Sequence, residues 1–257
     1  MSEINEFTYG WLTPALSYLM SVIGSLLALR CMARARTSPK PRGWIITAAL
    51  ALGGTGIWVM HFIAMLGFSV HGATIRYNIP ITVLSAILAI VVVWIGFSTV
   101  IRRQGDPTSL LLGGTITGLG VGAMHYAGMF AMKSNVEITY DPWIVLLSLF
   151  IAIAAATAAL WFSLHVHGIL SSIGTALVMG IAVTGMHYTG MYAMHTQGSD
   201  GMGMPSGAQA HELLTPLIIG VSMLTILLFL QVGITDPDEP DLSRVQGQDA
   251  SRYWPSR

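Results

Sequence analysis

Three short stretches of the sequence each place a histidine between two methionines in an otherwise apolar setting. They read WVMHFIAMLGF at 58–68, GAMHYAGMFAM at 122–132 and TGMHYTGMYAM at 184–194, and all follow the pattern Met-His-aromatic-x-small-Met. Imidazole binds many transition metals, whereas the soft thioether of methionine selects copper(I) over zinc, magnesium or calcium. These residue types therefore predict a copper site.

Helical geometry indicates which motif residues act together. Residues four apart are neighbours on one face of a helix, so each motif histidine pairs with the methionine four positions later. The methionine directly before each histidine points about 100° away round the helix, and either reaches the same centre or faces a neighbouring helix. The predicted metal ligands are His61, Met65, His125, Met129, His187, Met191, Met60, Met124 and Met186.

Each motif also has a purely structural interpretation, because methionine fills apolar cores readily and a single buried histidine often only forms a hydrogen bond. The threefold recurrence favours the functional interpretation. The histidines are 64 and then 62 residues apart, which is one pair of membrane spans each time. An ionisable side chain inside a membrane is by default a functional-site hypothesis. We therefore expect the three histidines to act as ligands.

The elements that carry the motifs are apolar helices. Hydrophobic residues make up 53% of the chain, charged residues 9%, and the mean hydropathy is +0.66, all typical of an integral membrane protein. A run of roughly 20 apolar residues crosses the bilayer core. We predict an all-α integral membrane fold with seven transmembrane helices, arranged as three pseudo-symmetric two-helix repeats plus one extra helix. The spans are 11–32, 44–66, 80–101, 110–132, 143–164, 172–194 and 214–234.

The distribution of basic residues predicts the orientation. The loop after the first span carries five Lys or Arg residues and the loop after the third carries two, whereas the loops on the other side hold only Arg76 and Lys133. Because basic loops stay in the cytoplasm, we expect the N-terminus outside, the C-terminus inside and the motifs in the outer third of the bilayer. Gly114, Gly118 and Gly122 follow every fourth position, which predicts close helix packing.

Residues 1–235 form the predicted membrane domain, and residues 236–257 form a short polar cytoplasmic tail that is too small to be a catalytic domain. We therefore expect no enzymatic activity and a separate cytoplasmic partner. The formal net charge of zero gives no indication of nucleic-acid binding.

The stretch MHYTGM at 186–191, together with three motif-bearing helices among seven spans, resembles the MHYT domain family over essentially the whole chain to about residue 235. The resemblance implies a sensory domain of the bacterial inner membrane that binds copper through the motif residues and detects oxygen, carbon monoxide or nitric oxide. Family members are often fused to domains that make or degrade cyclic di-GMP, and we expect a stand-alone member here. Homodimerisation is left open. The first copy departs from the family motif with Phe62 in place of tyrosine.

Three other classes of function compete with a sensor. A retinal photoreceptor is excluded because the last predicted span contains no lysine for a Schiff base. A haem- or copper-containing redox protein stays open, since it too requires histidines at matched depth. A copper transporter or chaperone is disfavoured because the cytoplasmic halves of the spans hold almost no ionisable residues. A site open only to the outside favours sensing.

Overall fold

The computed structural model describes residues 4–5, 8–71, 73–197 and 205–233. The predicted tail at 236–257 lies outside these residues. Most of the described chain is in long helices, which we number in chain order. They are α1 (Leu12–Thr37), α2 (Pro41–Leu66), α3 (Ile79–Arg102), α4 (Pro107–Ala131), α5 (Pro142–His165), α6 (Ile169–Tyr192) and α7 (Ala210–Gly233).

The helices confirm the predicted membrane fold. Six of the seven are long and apolar enough to cross a bilayer. The glycine-rich helix α4 falls short on hydropathy, but its 25 residues pack along both α3 and α5, so its length matches that of its neighbours. The chain is a multi-pass membrane protein. The three motifs end α2, α4 and α6, and each of these helices begins a two-helix repeat completed by α3, α5 or α7.

Helix α2 is not a uniform α-helix. Its middle segment, Leu50–Val59, is π-helical and lies between α-helical segments at Pro41–Ala49 and Met60–Leu66. Wide π-helical turns are rare and occur mostly at functional sites. The π segment ends two residues before His61, so the α-helical turn that carries this histidine follows a π segment, whereas α4 and α6 are α-helical throughout.

The helices pack in a closed ring in the order α2, α3, α4, α5, α6 and α1. Helix α1 fills the gap between α6 and α2, a place that the repeat pattern would give to α7. On the α6 side, Val22 and Tyr18 pack against Gly180, and the Tyr18 hydroxyl donates a hydrogen bond to the carbonyl of Leu177 at 3.3 Å. Helix α7 lies outside the ring against α2 and α1, and only 11% of its apolar window is buried, compared with 89% for α2.

Short strands cover one end of the bundle, which we call the motif face. The strands that follow the motif helices pair with each other across the repeats. They are β1 (Ile4–Asn5), β2 (Ser69–Val70), β3 (Ile75–Tyr77), β4 (Met132–Ser134), β5 (Glu137–Tyr140), β6 (Met194–Gln197) and β7 (Ala208–Gln209). All pairs are antiparallel: β1 with β2, β3 with β4 and β7, and β5 with β6. The three motifs therefore end at the same face, as predicted.

Two hydrogen bonds repeat between successive units at the motif face. The backbone N–H of Asn78, which caps α3, donates to the carbonyl of Ala131 at the end of α4. The N–H of Asp141, which caps α5, donates to the carbonyl of Ala193 just after α6. Both distances are 2.8 Å. The first and second repeats thus each hold the end of the motif helix in the following repeat.

Arginines hold the opposite end of the bundle, which we call the arginine face. Arg36 at the end of α1 donates to the carbonyls of Ser163 and Val166 at the end of α5, at 2.8 and 3.0 Å. Arg34 donates to the carbonyl of Val232 near the end of α7 at 2.8 Å. A cation at a helix C-terminus satisfies free carbonyls and complements the helix dipole. Helix α1, which belongs to no repeat, therefore joins the ends of the second helices of two repeats.

The predicted close packing at the glycines of α4 is confirmed, and its partner is α5. A Cβ atom at Gly118 would press on the backbone of Ile153, and one at Gly114 would press on Thr157. A Cβ at Gly122 would meet the side chain of Leu149. The contact lies between the two helices of one repeat.

Candidate metal centre

The three motif histidines meet at the centre of the ring, close to the motif face. His61, His125 and His187 are 0%, 1% and 1% exposed. Their Nδ1 atoms form a triangle, with 3.0 Å between His61 and His187, 3.2 Å between His61 and His125, and 3.3 Å between His125 and His187. Among the described residues, this is the group of three or more His, Cys, Asp or Glu side chains placed closely enough to share a metal ion.

The arrangement has approximate threefold symmetry. The histidine ring centroids are 4.9, 4.9 and 5.1 Å apart, and each pair of rings meets edge to face. Each histidine also contacts the aromatic residue that follows it, at centroid distances of 4.7 Å for Phe62 and 4.9 Å for both Tyr126 and Tyr188. Because Phe62 packs as the tyrosines do, its lack of a hydroxyl leaves the triangle unchanged.

Hydrogen bonding among the histidines alone cannot satisfy this triangle. The Nδ1 atom of a neutral imidazole either donates or accepts, and never does both. If none or one of the three Nδ1 atoms carries a hydrogen, at least two lone pairs face each other. If two or three of them carry a hydrogen, at least two N–H groups face each other. At least one edge of the triangle is therefore repulsive in every tautomeric arrangement. A cation at the centre removes the repulsion, because it attracts all three lone pairs at once.

The size of the triangle fits a metal ion. For edges of 3.0, 3.2 and 3.3 Å, averaging about 3.2 Å, a point equidistant from the three Nδ1 atoms lies about 1.8 Å from each, since the radius is the edge divided by √3. Bonds from imidazole nitrogen to a first-row metal such as zinc are about 2.0–2.1 Å long. Three converging imidazoles within a few tenths of an ångström of that length are a suitable donor set.

Two glycines make room for the far side of two rings. A Cβ atom at Gly128 of α4 would collide with Nε2 of His61, and one at Gly190 of α6 would collide with Nε2 of His125. Both glycines occupy the position three residues after a motif histidine, where the first copy has Ala64. The sequence pattern contained this signal as its small residue, but sequence reasoning assigned it no role. The rings of His61 and His125 thus lie against the backbone of the next motif helix.

The structure buries all six methionines of the predicted ligand set. Met65, Met129 and Met191 lie one turn beyond the histidines on the same helix faces, and they are 1%, 1% and 3% exposed. The methionines before the histidines are equally buried, and they are Met60, Met124 and Met186. A thioether layer therefore lies on the motif-face side of the triad. Which sulfurs act as ligands stays a prediction.

Hydroxyl groups on the following helices hold the aromatic neighbours of the motifs. The Tyr126 hydroxyl lies 2.7 Å from Oγ of Ser148 on α5. In the first repeat, the indole N–H of Trp58 donates to Oγ of Ser85 on α3 at 3.1 Å. Sequence reasoning missed both serines, because their partners lie on another helix. Each serine ties a motif helix to the second helix of the same repeat.

Comparison with known proteins gives the same threefold division. The family model named MHYT and described as "Bacterial signalling protein N terminal repeat" matches the chain at 54–114, 118–176 and 180–237. Each match begins in a motif helix, ahead of its histidine, and extends past the end of the next helix. No solved structure matches the chain.

Curated relatives resemble the chain over most of its length. The bifunctional diguanylate cyclase/cyclic di-GMP phosphodiesterase MucR of Pseudomonas aeruginosa is 36% identical over 242 residues, which cover 89% of this chain and 34% of the relative. The cyclic di-GMP phosphodiesterase NbdA of the same organism is 34% identical, covering 85% of this chain and 28% of the relative. Signaling protein YkoW of Bacillus subtilis is 34% identical, with 72% and 24% covered. The chain thus spans about a third or less of the length of these relatives.

Proposed function

The chain belongs to the MHYT family of bacterial signalling-protein repeats, and from this premise we propose that it is a sensor of the bacterial inner membrane. In this proposal the histidine triad binds copper and the bound copper detects a diatomic gas: oxygen, carbon monoxide or nitric oxide. The motif face lies outside the cell, and the arginine face passes the signal to a cytoplasmic partner. The chain itself senses and does not catalyse.

The observation that carries the proposal is the triangle of buried Nδ1 atoms, which are 3.0–3.3 Å apart. A purely structural histidine cluster would gain nothing from facing lone pairs or N–H groups inside a membrane, where unpaired polar groups cost several kcal/mol. A bound cation turns this unfavourable arrangement into a favourable one. The three histidines are therefore proposed as ligands of one shared ion.

Copper fits the surroundings of the triad better than other metals do. The layer next to the triad on the motif-face side consists of the thioethers of Met65, Met129 and Met191. Soft sulfur beside imidazole selects copper(I), whereas magnesium and calcium require oxygen ligands and structural zinc sites usually contain cysteine. Cys31, the one cysteine of the sequence, is on α1 and lies in none of the motifs. When bound, copper(I) would supply a metal that can take a small gas as an additional ligand.

Two of the rival functions fit the triad less well. Haem ligation by these histidines would require a flat macrocycle between nitrogens that are at most 3.3 Å apart, and there is no space for one. Ion transport would require polar groups on both sides of the triad. The layer on its arginine-face side is formed by Ile57, Val121 and Val183. Both the geometry and this apolar layer favour sensing.

The names of the relatives support a signalling role. MucR and NbdA are named as cyclic di-GMP enzymes, and this chain covers 34% and 28% of their lengths. YkoW is named only as a signaling protein. We propose that the chain is the membrane sensing part of a comparable system, and that its cytoplasmic partner carries the response.

Metal analysis of the purified protein tests the proposal. The protein is loaded with copper(I), and copper per chain is measured together with the infrared band of bound carbon monoxide. One triad per chain predicts one copper per chain and one carbonyl band, and both should be lost when all three histidines are replaced by alanine. Full retention of copper by the triple variant would refute the ligand role. A copper-loaded wild-type protein that binds none of the three gases would refute gas detection.

A further inference from the structure

A cavity of about 70 Å³ lies directly under the histidine triad, on the arginine-face side. Ile57, Val121 and Val183 line it, and each lies four residues before a motif histidine. Residues four apart share a helix face, so these three side chains form the layer next to the imidazole rings. The part of the cavity that these three residues line therefore lies one helical turn from the histidine triad, and most of its other lining residues belong to α5 and α6.

The lining of the cavity is apolar except for one threonine. Thr117 is the one polar residue among those that line it, and its hydroxyl donates a hydrogen bond to the carbonyl of Val92 at 3.2 Å. A water molecule requires about 10–15 Å³ and two to four polar partners, and apolar cavities without such partners stay dry and bind apolar guests. The cavity is large enough for a small molecule, and its single side-chain hydroxyl is fewer than the two to four polar partners that a water requires.

The cavity reaches the lipid between α5 and α6. Ala158 on α5 and Val178 on α6 belong to its lining, and Val178 is 54% exposed at the surface of the bundle. Farther in, the half-buried residues Ala155 and Ala182 form the two walls, and their small side chains keep the passage open. The exposed sides of α5 and α6 face the bilayer, because most of their apolar windows is unburied.

The inner end of the passage is next to the metal centre. Met186 lines the cavity and directly precedes His187. From Val178 to His187 is nine residues, or about 13 Å along the helix at 1.5 Å per residue. We infer that this cavity is the entry route and docking pocket of a small apolar ligand, which reaches the triad sideways from the bilayer. Apolar molecules favour an apolar phase over water, so the concentration of such a ligand is higher in the bilayer than in the surrounding water.

This inference rests on the proposed function for the nature of the ligand, and its first test does not depend on the metal. Xenon is added to methyl-labelled protein, and the methyl resonances of Ile57, Val121, Val183 and Met186 are followed by NMR. The expected result is a saturable shift of the methyl resonances of these four residues in the wild-type protein. No shift at these methyl groups would overturn the inference, whatever the metal content.

Two plugging variants and a control locate the route. Ala155→Phe fills the passage from α5, and Ala182→Phe fills it from α6. If one variant does not fold, the other still tests the route. Ala154→Phe is the control, because Ala154 is exposed on α5 and does not line the cavity. Xenon shifts should vanish in the plugging variants and persist in the control. Shifts that persist in a folded plugging variant would contradict the assignment of this passage.

Carbon monoxide kinetics connect the passage to the centre. In copper(I)-loaded protein, association after flash photolysis should be at least about tenfold slower in the plugging variants, the effect of a barrier about 1.4 kcal/mol higher. Copper content should stay at the wild-type level in all three variants. Unchanged association rates would show that gas enters elsewhere and would overturn the route while leaving the copper site intact. A wild-type protein that binds xenon but no carbon monoxide would refute the proposed gas sensor and would support only the docking pocket.

Discussion

The substitution Gly128→Ala adds one methyl group at a place where a ring of the triad leaves no room for it. This methyl would lie 3.0 Å from Cδ2 of His61 and even closer to its Nε2. Carbon atoms in good contact are about 3.5–4.0 Å apart, so the ring must move by roughly 1 Å. The neighbouring rings are in contact at 4.9 Å between centroids and restrict where it can go. The Nδ1 atom of His61 must therefore leave its position in the triangle.

A shift of that size removes one metal ligand. Metal sites tolerate deviations of about 0.2 Å in bond length, so a displacement of roughly 1 Å is several times too large. Even indirect changes around metal ligands weaken affinity about 10–100-fold. We expect Gly128→Ala to weaken copper binding at least about tenfold, and Gly190→Ala to act in the same way through His125.

The assay is a competition titration of purified protein with a copper(I) chelator, together with thermal unfolding in the same detergent. Gly185→Ala is the matched control, because it adds a methyl to a motif helix with no atom within 4 Å. Alanine is favoured over glycine within helices by about 1 kcal/mol, so lower thermal stability is not expected of the control. Wild-type copper affinity in folded Gly128→Ala and Gly190→Ala proteins would refute the placement of the histidine rings.

The triad, the two faces of the bundle and the contact between α4 and α5 can each be tested further. Replacing any one motif histidine by alanine should remove nearly all bound copper in an elemental analysis, whereas a loss of only about a third would indicate three separate sites. Cysteines introduced at Gln104 and Glu137 should react with a membrane-impermeant thiol reagent from the cytoplasmic and outer sides respectively; Cys31 is buried and should stay silent, and the reverse pattern would invert the topology. Gly118→Ala should lower the free energy of unfolding by about 1–3 kcal/mol through overpacking against α5. Gly174→Ala, which meets no atom within 4 Å, should not, and equal stabilities would contradict the close contact.

The local features of the fold could be predicted from the sequence, because they depend on composition and period within one helix. These local features are the spans, the positions of the motifs and their common depth. The small residue three positions after each motif histidine was visible in the pattern too, although its role was not. Relations between helices could not be predicted. The spacing of glycines on α4 indicates a close partner but does not name α5, and the spacing of the motifs brings His61 and His187 to one depth without indicating that their Nδ1 atoms meet.

Two departures from expectation have clear physical causes. The predicted fourth and sixth spans extend to Met132 and Met194, yet α4 and α6 end before these two residues, and both methionines lie in strands. Strand pairing across the repeats satisfies backbone groups there that a further helical turn would have satisfied within the helix. The π-helical segment of α2 was also unexpected, because its sequence has no local signal that distinguishes it from an α-helix.

The place of α1 between α6 and α2 has a consequence for biogenesis. Chains enter the membrane in order during synthesis, at about 5–20 residues per second. The 131 residues between the end of α1 at Thr37 and the start of α6 at Ile169 therefore take on the order of ten seconds to be synthesised. Throughout that interval Tyr18 lacks the Leu177 carbonyl that accepts its hydrogen bond in the finished protein. Until α6 is inserted, the ring of helices is therefore open between α1 and α5. The metal centre can assemble only after α6 has entered the membrane, because this helix carries His187.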